Sequence, residues 1–188
     1  MKYFLTLAII LGLAPLTFGQ PYRDNLPLSQ VEIFQRMFSQ AEEEGFDKIQ
    51  KGAIFLEPLF SAIQTKMGVG IKGEIEKGIV QKDKTRVLAA LGQLVYLDMI
   101  DLLSIGGDLL KENNIDKAKS KIKIAYADYL LISPSISAKS FPTDQKVKNS
   151  FRLLSLGVGT TLKTEDYHRM TKEIQQDIVS VQPEYKNK

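Results

Sequence analysis

Residues 84–105 read KTRVLAALGQLVYLDMIDLLSI, and this stretch decides the fold class. Its apolar side chains recur at helical spacing and cover most sides of the helix that they predict, so we expect a buried central helix. Asp83 is its predicted N-cap, and Gly106-Gly107 predicts its end. Asp98 and Asp101 argue against a transmembrane helix, because each acid would cost about 2.5 kcal/mol or more in hydrocarbon.

Amphipathic segments precede this helix. Ser29-Gln30-Val31-Glu32 has the spacing of a capping box and opens an apolar stripe of helical period. A second stripe begins at Asp47, and Pro58 must break or kink it because proline has no backbone donor. The glycines at 68–78 predict a turn, with at most a short helix at 74–80.

Further amphipathic segments follow it. After the turn at Asn113-Asn114, a clean helical stripe runs until Ser133-Pro134-Ser135, which predicts the end of that helix. The residues from there to Phe141-Pro142 are predicted to be a loop. Thr143 or Asp144 is the expected cap of the next helix.

Thr164 opens the last predicted helix, and Pro183 follows its end. Five or six amphipathic helices with few strand signals predict an all-α, single-domain bundle around one core. The expected organisation is a signal peptide at 1–19, a leader at 20–27, the helical bundle domain at 28–182 and a tail at 183–188.

The first 19 residues have the parts of a secretory signal peptide. Lys2 precedes an uncharged apolar run, with Pro15 near its end and small residues at Thr17 and Gly19. The run is shorter than the roughly 20 residues that span a bilayer. We therefore expect cleavage near Gly19 and no transmembrane segment in the mature chain, with an uncleaved anchor as the alternative. The chain has no cysteine, which favours a bacterial periplasm or exterior over a disulfide-forming eukaryotic compartment.

Composition excludes several functions. The net charge falls from +3 to +2 on cleavage, because Lys2 is the only charged residue in the predicted signal peptide at 1–19, and this is too small to indicate nucleic-acid binding. A single histidine, His168, and no cysteine exclude a cysteine dyad and a multi-histidine zinc site. Gly68 to Gly73 matches Gly-x-Gly-x-x-Gly, but no strand precedes it, so it predicts a helix connection. We expect no enzyme and no resident organic cofactor, and we expect His168 to be solvated.

Four acids on apolar helices are the candidate site residues. Asp98 lies on the same helical line as core residues, and Asp101 lies about one turn further along. Asp128 lies within the stripe of the next long helix, and Glu57 adjoins Pro58. If these acids converged, they would form an oxygen-rich site for a divalent cation. The alternative is that each acid lies at the edge of its stripe and pairs with a lysine or a tyrosine hydroxyl.

Lysines at 117, 119, 121 and 123 lie off the apolar stripe of their helix. They fit either an acidic partner or lipid headgroups, or simply a solvated face. In the same region, Asn114-Ile115-Asp116-Lys117-Ala118 together with the segment 125–130 is similar to the helical periplasmic modules attached to bacterial iron permeases. The similarity covers residues 114 to 130 and implies iron as a candidate cation.

Two functional hypotheses follow. The first is an exported, non-enzymatic helical bundle that binds a protein partner or a small ligand. The sequence supports it because it predicts a complete apolar core but contains no set of reactive side chains. The alternative is a carboxylate-based protein of the periplasm that binds a metal cation, with iron as one candidate. The first predicts that Asp98→Asn or Asp128→Asn changes stability and leaves function intact.

Overall fold

The computed structural model describes residues 29–186, so the predicted signal peptide at 1–19 and leader at 20–27 lie outside the described residues. Within residues 29–186 the protein is all-helical, as predicted, with eight α-helices, one short 3-10 helix and no strand. The α-helices are α1 Gln30–Glu42, α2 Phe46–Ile54, α3 Glu57–Met67, α4 Ile71–Gln81, α5 Lys84–Lys111, α6 Ile115–Lys139, α7 Phe141–Gly157 and α8 Thr164–Val181, and the 3-10 helix is Pro183–Tyr185.

The two longest helices, α5 and α6, form an antiparallel hairpin at the centre of the bundle. A tight turn joins them, in which Asn113 takes a left-handed conformation with φ 58°. Asparagine tolerates this conformation better than most residues. The other helices surround the hairpin: α1, α3, α4 and α8 contact α5, while α1, α7 and α8 contact α6. Their buried apolar side chains form one core cluster.

The predicted end of the central helix at Gly106-Gly107 is wrong, because α5 continues to Lys111. These glycines serve helix packing. A Cβ on Gly106 would lie 2.6 Å from the hydroxyl oxygen of Tyr167 on α8. The absence of a side chain therefore lets α8 approach α5.

The structure has more helices than the five or six that were predicted, and the difference arises before α5. Pro58 does break the second stripe, as expected: α2 ends at Ile54, and Pro58 lies in the first turn of α3, where a proline is tolerated. The glycine-rich segment, expected to be mainly a turn, forms the three-turn helix α4. A Cβ on Gly78 would lie 2.7 Å from a methyl carbon of Val87, so this glycine permits close packing of α4 on α5.

The predicted helix end at Ser133-Pro134-Ser135 and the predicted loop after it are also wrong, because α6 continues through Pro134 to Lys139. Proline removes the donor for the carbonyl four residues earlier, which belongs to Leu130. Both residues are exposed, so that carbonyl lies on the side of α6 where water can replace the lost donor. Ser140, rather than Thr143 or Asp144, caps α7 by accepting a hydrogen bond from the Thr143 amide.

The end of the described chain also packs on α5. Tyr185 is 4% exposed, and its ring stacks on Tyr96 at a centroid distance of 5.4 Å. Among residues 29–186, α5 is the one helix long and apolar enough to cross a membrane, and 61% of its most apolar window is buried inside the structure. The core helices of soluble proteins have the same composition.

Candidate functional site

A pair of buried acids, Asp98 and Asp128, joins the two helices of the central hairpin. The two helices run antiparallel. Gly106 of α5 lies next to Lys121 of α6, and about two turns earlier in α5, Asp98 lies beside Asp128 of α6. Asp98 is 5% exposed and Asp128 is fully buried. The two carboxyl groups are within hydrogen-bonding reach of each other. Two of the four predicted site residues therefore converge.

The surroundings of the pair favour one shared proton. Burial raises the pKa of Asp128 to about 9, and the adjacent charge of Asp98 adds to the shift. Burial also raises the pKa of Asp98, to about 6, while the hydrogen bond from Asp128 and the nearby Lys121 oppose the increase. Neither oxygen of Asp128 receives a hydrogen bond from a donor group in the described residues. At neutral pH the proton therefore lies on Asp128, which donates to the Asp98 carboxylate.

Gln30, the first residue of α1, completes the immediate surroundings of the acid pair. Its side-chain amide donates a hydrogen bond to Oδ2 of Asp98. Ser29, the preceding residue, forms the predicted capping box with Glu32 and so fixes the start of α1 over the hairpin. Three helices thus meet at one small polar cluster inside the apolar core.

Asp101 lies one turn along α5 from Asp98, and its charge contributes to the raised pKa of Asp98. Its carboxylate accepts two hydrogen bonds from Nζ of Lys66 on α3, at 2.8 and 2.7 Å. Its side chain is 20% exposed, so it lies between the buried pair and solvent. Asp101 therefore pairs with a lysine, as the alternative prediction for these acids stated, although it lies close to the buried pair.

Glu57 does not join the other three acids. It begins α3, whereas Lys66, the partner of Asp101, lies near the end of that helix, about 14 Å away by helical rise. The Glu57 carboxylate pairs instead with Lys72 of α4 at 2.6 Å, and both side chains are substantially exposed. The expected convergence of four acids is thus reduced to a pair with a third acid beside it.

The chemistry that such a cluster can support is limited. Within residues 29–186 no group of three or more histidine, cysteine, aspartate or glutamate side chains is placed to hold a metal ion. Asp98, Asp128 and the side-chain oxygen of Gln30 would offer hard oxygen ligands to a small cation that displaced the shared proton. The pair can thus hold a proton as it stands or exchange it for a cation.

A second buried acid, Asp144 on α7, was not predicted from the sequence, where it was considered only as a cap. Its carboxylate accepts hydrogen bonds of 2.7 Å from the hydroxyls of Tyr129 and Ser133, and Nζ of Lys148 lies 2.8 Å away. Burial alone would raise the pKa of Asp144, but these three partners lower it below its ordinary value. The spacing of Lys148 four residues after Asp144 was the available signal.

An open cleft runs between α6 and α7, with a volume of about 420 Å³. We call it the α6–α7 cleft. Aromatic rings form its floor, since Tyr126 and Phe151 lie 5.2 Å apart between ring centroids. Polar and basic side chains form its rim. The lining residues are Tyr126, Gln145, Lys148, Asn149, Phe151, Arg152 and Ser155.

The four lysines of α6 divide between two flanks of the helix. Lys121 is half-buried on the flank that faces α5, where its charge reaches Asp98, and Lys117 lies one turn before it. Lys119 and Lys123 are exposed. They fall on the helical line that continues to Tyr126 in the α6–α7 cleft. The exposure of Lys117, Lys119 and Lys123 fits the solvated-face interpretation, whereas Lys121 is half-buried.

His168 is exposed on α8, as expected for a solvated histidine. Comparison of the chain with protein-family models, with curated proteins and with solved structures finds no match.

Proposed function

We propose that this chain is an exported, non-enzymatic binding protein that takes a protein partner or a small ligand in the α6–α7 cleft. The observation that carries this proposal is the cleft itself, an open recess of about 420 Å³ with an aromatic floor and a rim of hydrogen-bonding groups. A few convergent polar groups over an apolar floor are typical of binding sites. The lining residues include no serine–histidine or carboxylate–histidine pair for catalysis.

Photo-crosslinking in the producing cells tests this proposal. A photoreactive phenylalanine analogue replaces Asn149, which is exposed at the cleft, and in a matched control it replaces the exposed Lys172 on α8. We expect a specific protein adduct from position 149 and not from position 172. For a small ligand, we expect instead that the co-purified ligand is lost from an Asn149→Trp variant, which fills the cleft. Equal labelling at both positions, with no ligand lost from Asn149→Trp, contradicts the proposal.

The acid pair provides a control within the same experiment. Because Asp128 lies in the core and contributes nothing to the cleft lining, Asp128→Asn should leave the adduct from position 149 unchanged. Loss of the adduct in a fully folded Asp128→Asn protein would move the function from the cleft to the acid pair.

A second candidate function is the binding of a divalent cation at Asp98 and Asp128. It is favoured by the two oxygens of Asp128, which are buried without any donor group directed at them. Calorimetric titration with calcium, manganese and ferrous ions tests it, with Asp128→Asn as the control. Heat that disappears in the variant supports the site. No heat from any of the three ions, or heat that the variant leaves unchanged, excludes it.

A further inference from the structure

Two exposed lysines of α6 lie outside the lining of the α6–α7 cleft, on the helical line of its lining residue Tyr126. Lys119, Lys123 and Tyr126 follow one line of the helix, with spacings of four and three residues. Lys119 lies near Gly159, just after the end of α7, since a Cβ on that glycine would lie 3.6 Å from the Lys119 Nζ. Lys119 therefore lies over the end of α7, and the line leads from there into the cleft.

The cleft wall on α7 repeats this pattern. Lys148, Arg152 and Ser155 have the same spacings of four and three residues, and all three line the cleft. The guanidinium of Arg152 donates hydrogen bonds of 3.3 and 3.0 Å to the side-chain oxygen of Asn149, which also lines the cleft. This contact holds the charge of Arg152 at the rim without neutralising it.

The charges of these side chains are not all compensated. Lys148 is paired with the buried Asp144 at 2.8 Å. In the described part of the chain, Lys119, Lys123 and Arg152 have no ion pair with a carboxylate. Asp116, one turn before Lys119, is the acid next along the same side of α6. Arg152 in the cleft lining, together with the exposed Lys119 and Lys123 outside that lining on α6, forms a group of cations without a carboxylate partner, which would attract an anionic ligand.

We infer that the occupant of the α6–α7 cleft is an acidic polypeptide segment, which deepens and rests on the binding function proposed above. Two features favour a polypeptide. Arg152 lies in the lining of a recess, which an extended chain can enter but a flat bilayer surface cannot. Beside Arg152, the outer side of α7 exposes Leu153 and Leu156 at 45% and 63%, which suits apolar side chains between the acids of a partner.

Fluorescence anisotropy with a labelled decaglutamate peptide tests this inference on the purified full chain at low ionic strength. The cleft variant is Lys119→Gln, Lys123→Gln and Arg152→Gln combined. We expect the peptide to bind the unmodified protein and its Kd to rise at least about tenfold in this variant. The matched control removes the same charge elsewhere, with the exposed lysines Lys51→Gln, Lys82→Gln and Lys172→Gln, and should raise Kd less than about twofold.

Several outcomes overturn the inference. Equal weakening by both triple variants would show attraction by net charge alone. Binding of phosphatidylglycerol vesicles, with no binding of decaglutamate, would identify a lipid surface as the anionic partner. Circular dichroism checks that both variants remain folded. If the cleft variant does not fold, peptide-induced shifts of the backbone amides of Asn149 and Ser155 in the unmodified protein decide the question, and their absence overturns the inference.

This failure can be distinguished from failure of the proposed function. A partner adduct from position 149 together with no decaglutamate binding retains the cleft as a binding site and removes the acidic partner. Absence of the adduct, of peptide binding and of a co-purified ligand removes both.

Discussion

Replacing Asp128 by asparagine should stabilise the protein at neutral and alkaline pH. Because the pKa of Asp128 rises to about 9 in the folded state, from an ordinary value of 3.8, the folded chain holds a proton that the unfolded chain releases. The contribution of Asp128 to the free energy of unfolding is therefore largest below pH 3.8 and decreases as the pH rises toward 9. Asparagine is nearly isosteric and uncharged, and its amide can donate to Asp98 as the protonated acid does.

The size of the effect follows from the same pKa. Keeping the proton on Asp128 costs about 1.36 kcal/mol of folding free energy for each pH unit between 3.8 and the working pH, or about 4 kcal/mol at pH 7. The second N–H of the asparagine amide has no partner and costs about 1 kcal/mol. The net gain in unfolding free energy should therefore be about 3 kcal/mol at pH 7 and about 5 kcal/mol at pH 8.5. Near pH 4 the gain should become a loss of about 1 kcal/mol.

Urea unfolding followed by circular dichroism, at pH values from 4 to 8.5, measures this difference. The matched control is Asp116→Asn, which makes the same chemical change on the exposed first turn of the same helix. The control should alter stability by only a few tenths of a kcal/mol at any pH in this range. A stability difference between Asp128→Asn and the unmodified protein that stays constant with pH would refute the shared proton.

Three other substitutions should each destabilise the protein in urea unfolding. Asp144→Asn should cost about 1 to 3 kcal/mol at pH 7, because it removes the charge that Lys148 and two hydroxyls stabilise. The lowered pKa of Asp144 means that its contribution is present above pH 3.8 and is lost as the pH falls, so the cost should shrink in acid. Tyr167→Phe should cost about 1 kcal/mol, because it removes the 2.7 Å hydrogen bond to the carbonyl of Leu103. Gly106→Ala should cost about 1 to 3 kcal/mol through overlap with the Tyr167 hydroxyl, and the double variant should cost less than the sum of the two. Strict additivity would contradict that packing argument.

Features that depend on local sequence were predictable. The capping box at Ser29 and the cap at Asp83 are both confirmed, because each depends on a few neighbouring residues. Asp98 was correctly expected to point toward the core, because its side follows from helical periodicity. The all-helical class follows for the same reason, since helical periodicity is readable within each segment.

The misplaced helix ends share one physical cause. Gly106 and Pro134 were interpreted by their local conformational preferences as residues that end helices, and Gly78 as part of a glycine-rich turn. In the structure the two glycines lie where another helix approaches too closely for a Cβ, and the proline lies on an exposed face. Tertiary contacts and solvent decide these positions, and neither is visible within a short window of sequence.

The candidate site was predictable in part for a related reason. Periodicity placed Asp98 and Asp128 on core-facing sides of their helices, but their contact depends on how α5 and α6 align across the turn at 112–114. Glu57 and Asp101 found partners on α4 and α3 through long, flexible lysine side chains. Such pairs are set by the arrangement of whole helices, which no spacing within one helix reveals.

The buried Asp128 and the exposed Lys119 and Lys123 lie on opposite flanks of α6. On one flank Asp128 is buried against α5 without a hydrogen-bond donor directed at its carboxyl oxygens, an arrangement that costs free energy at neutral pH. On the other flank Lys119 and Lys123 lie in solvent, where a charged side chain costs little free energy and is accessible. The protein remains stable with the unfavourable free energy of the buried Asp128 because the burial of the surrounding apolar side chains contributes more. For this reason the acid pair should control how the stability of the bundle varies with pH, while the binding proposed for the cleft on the opposite flank should not depend on the acid pair.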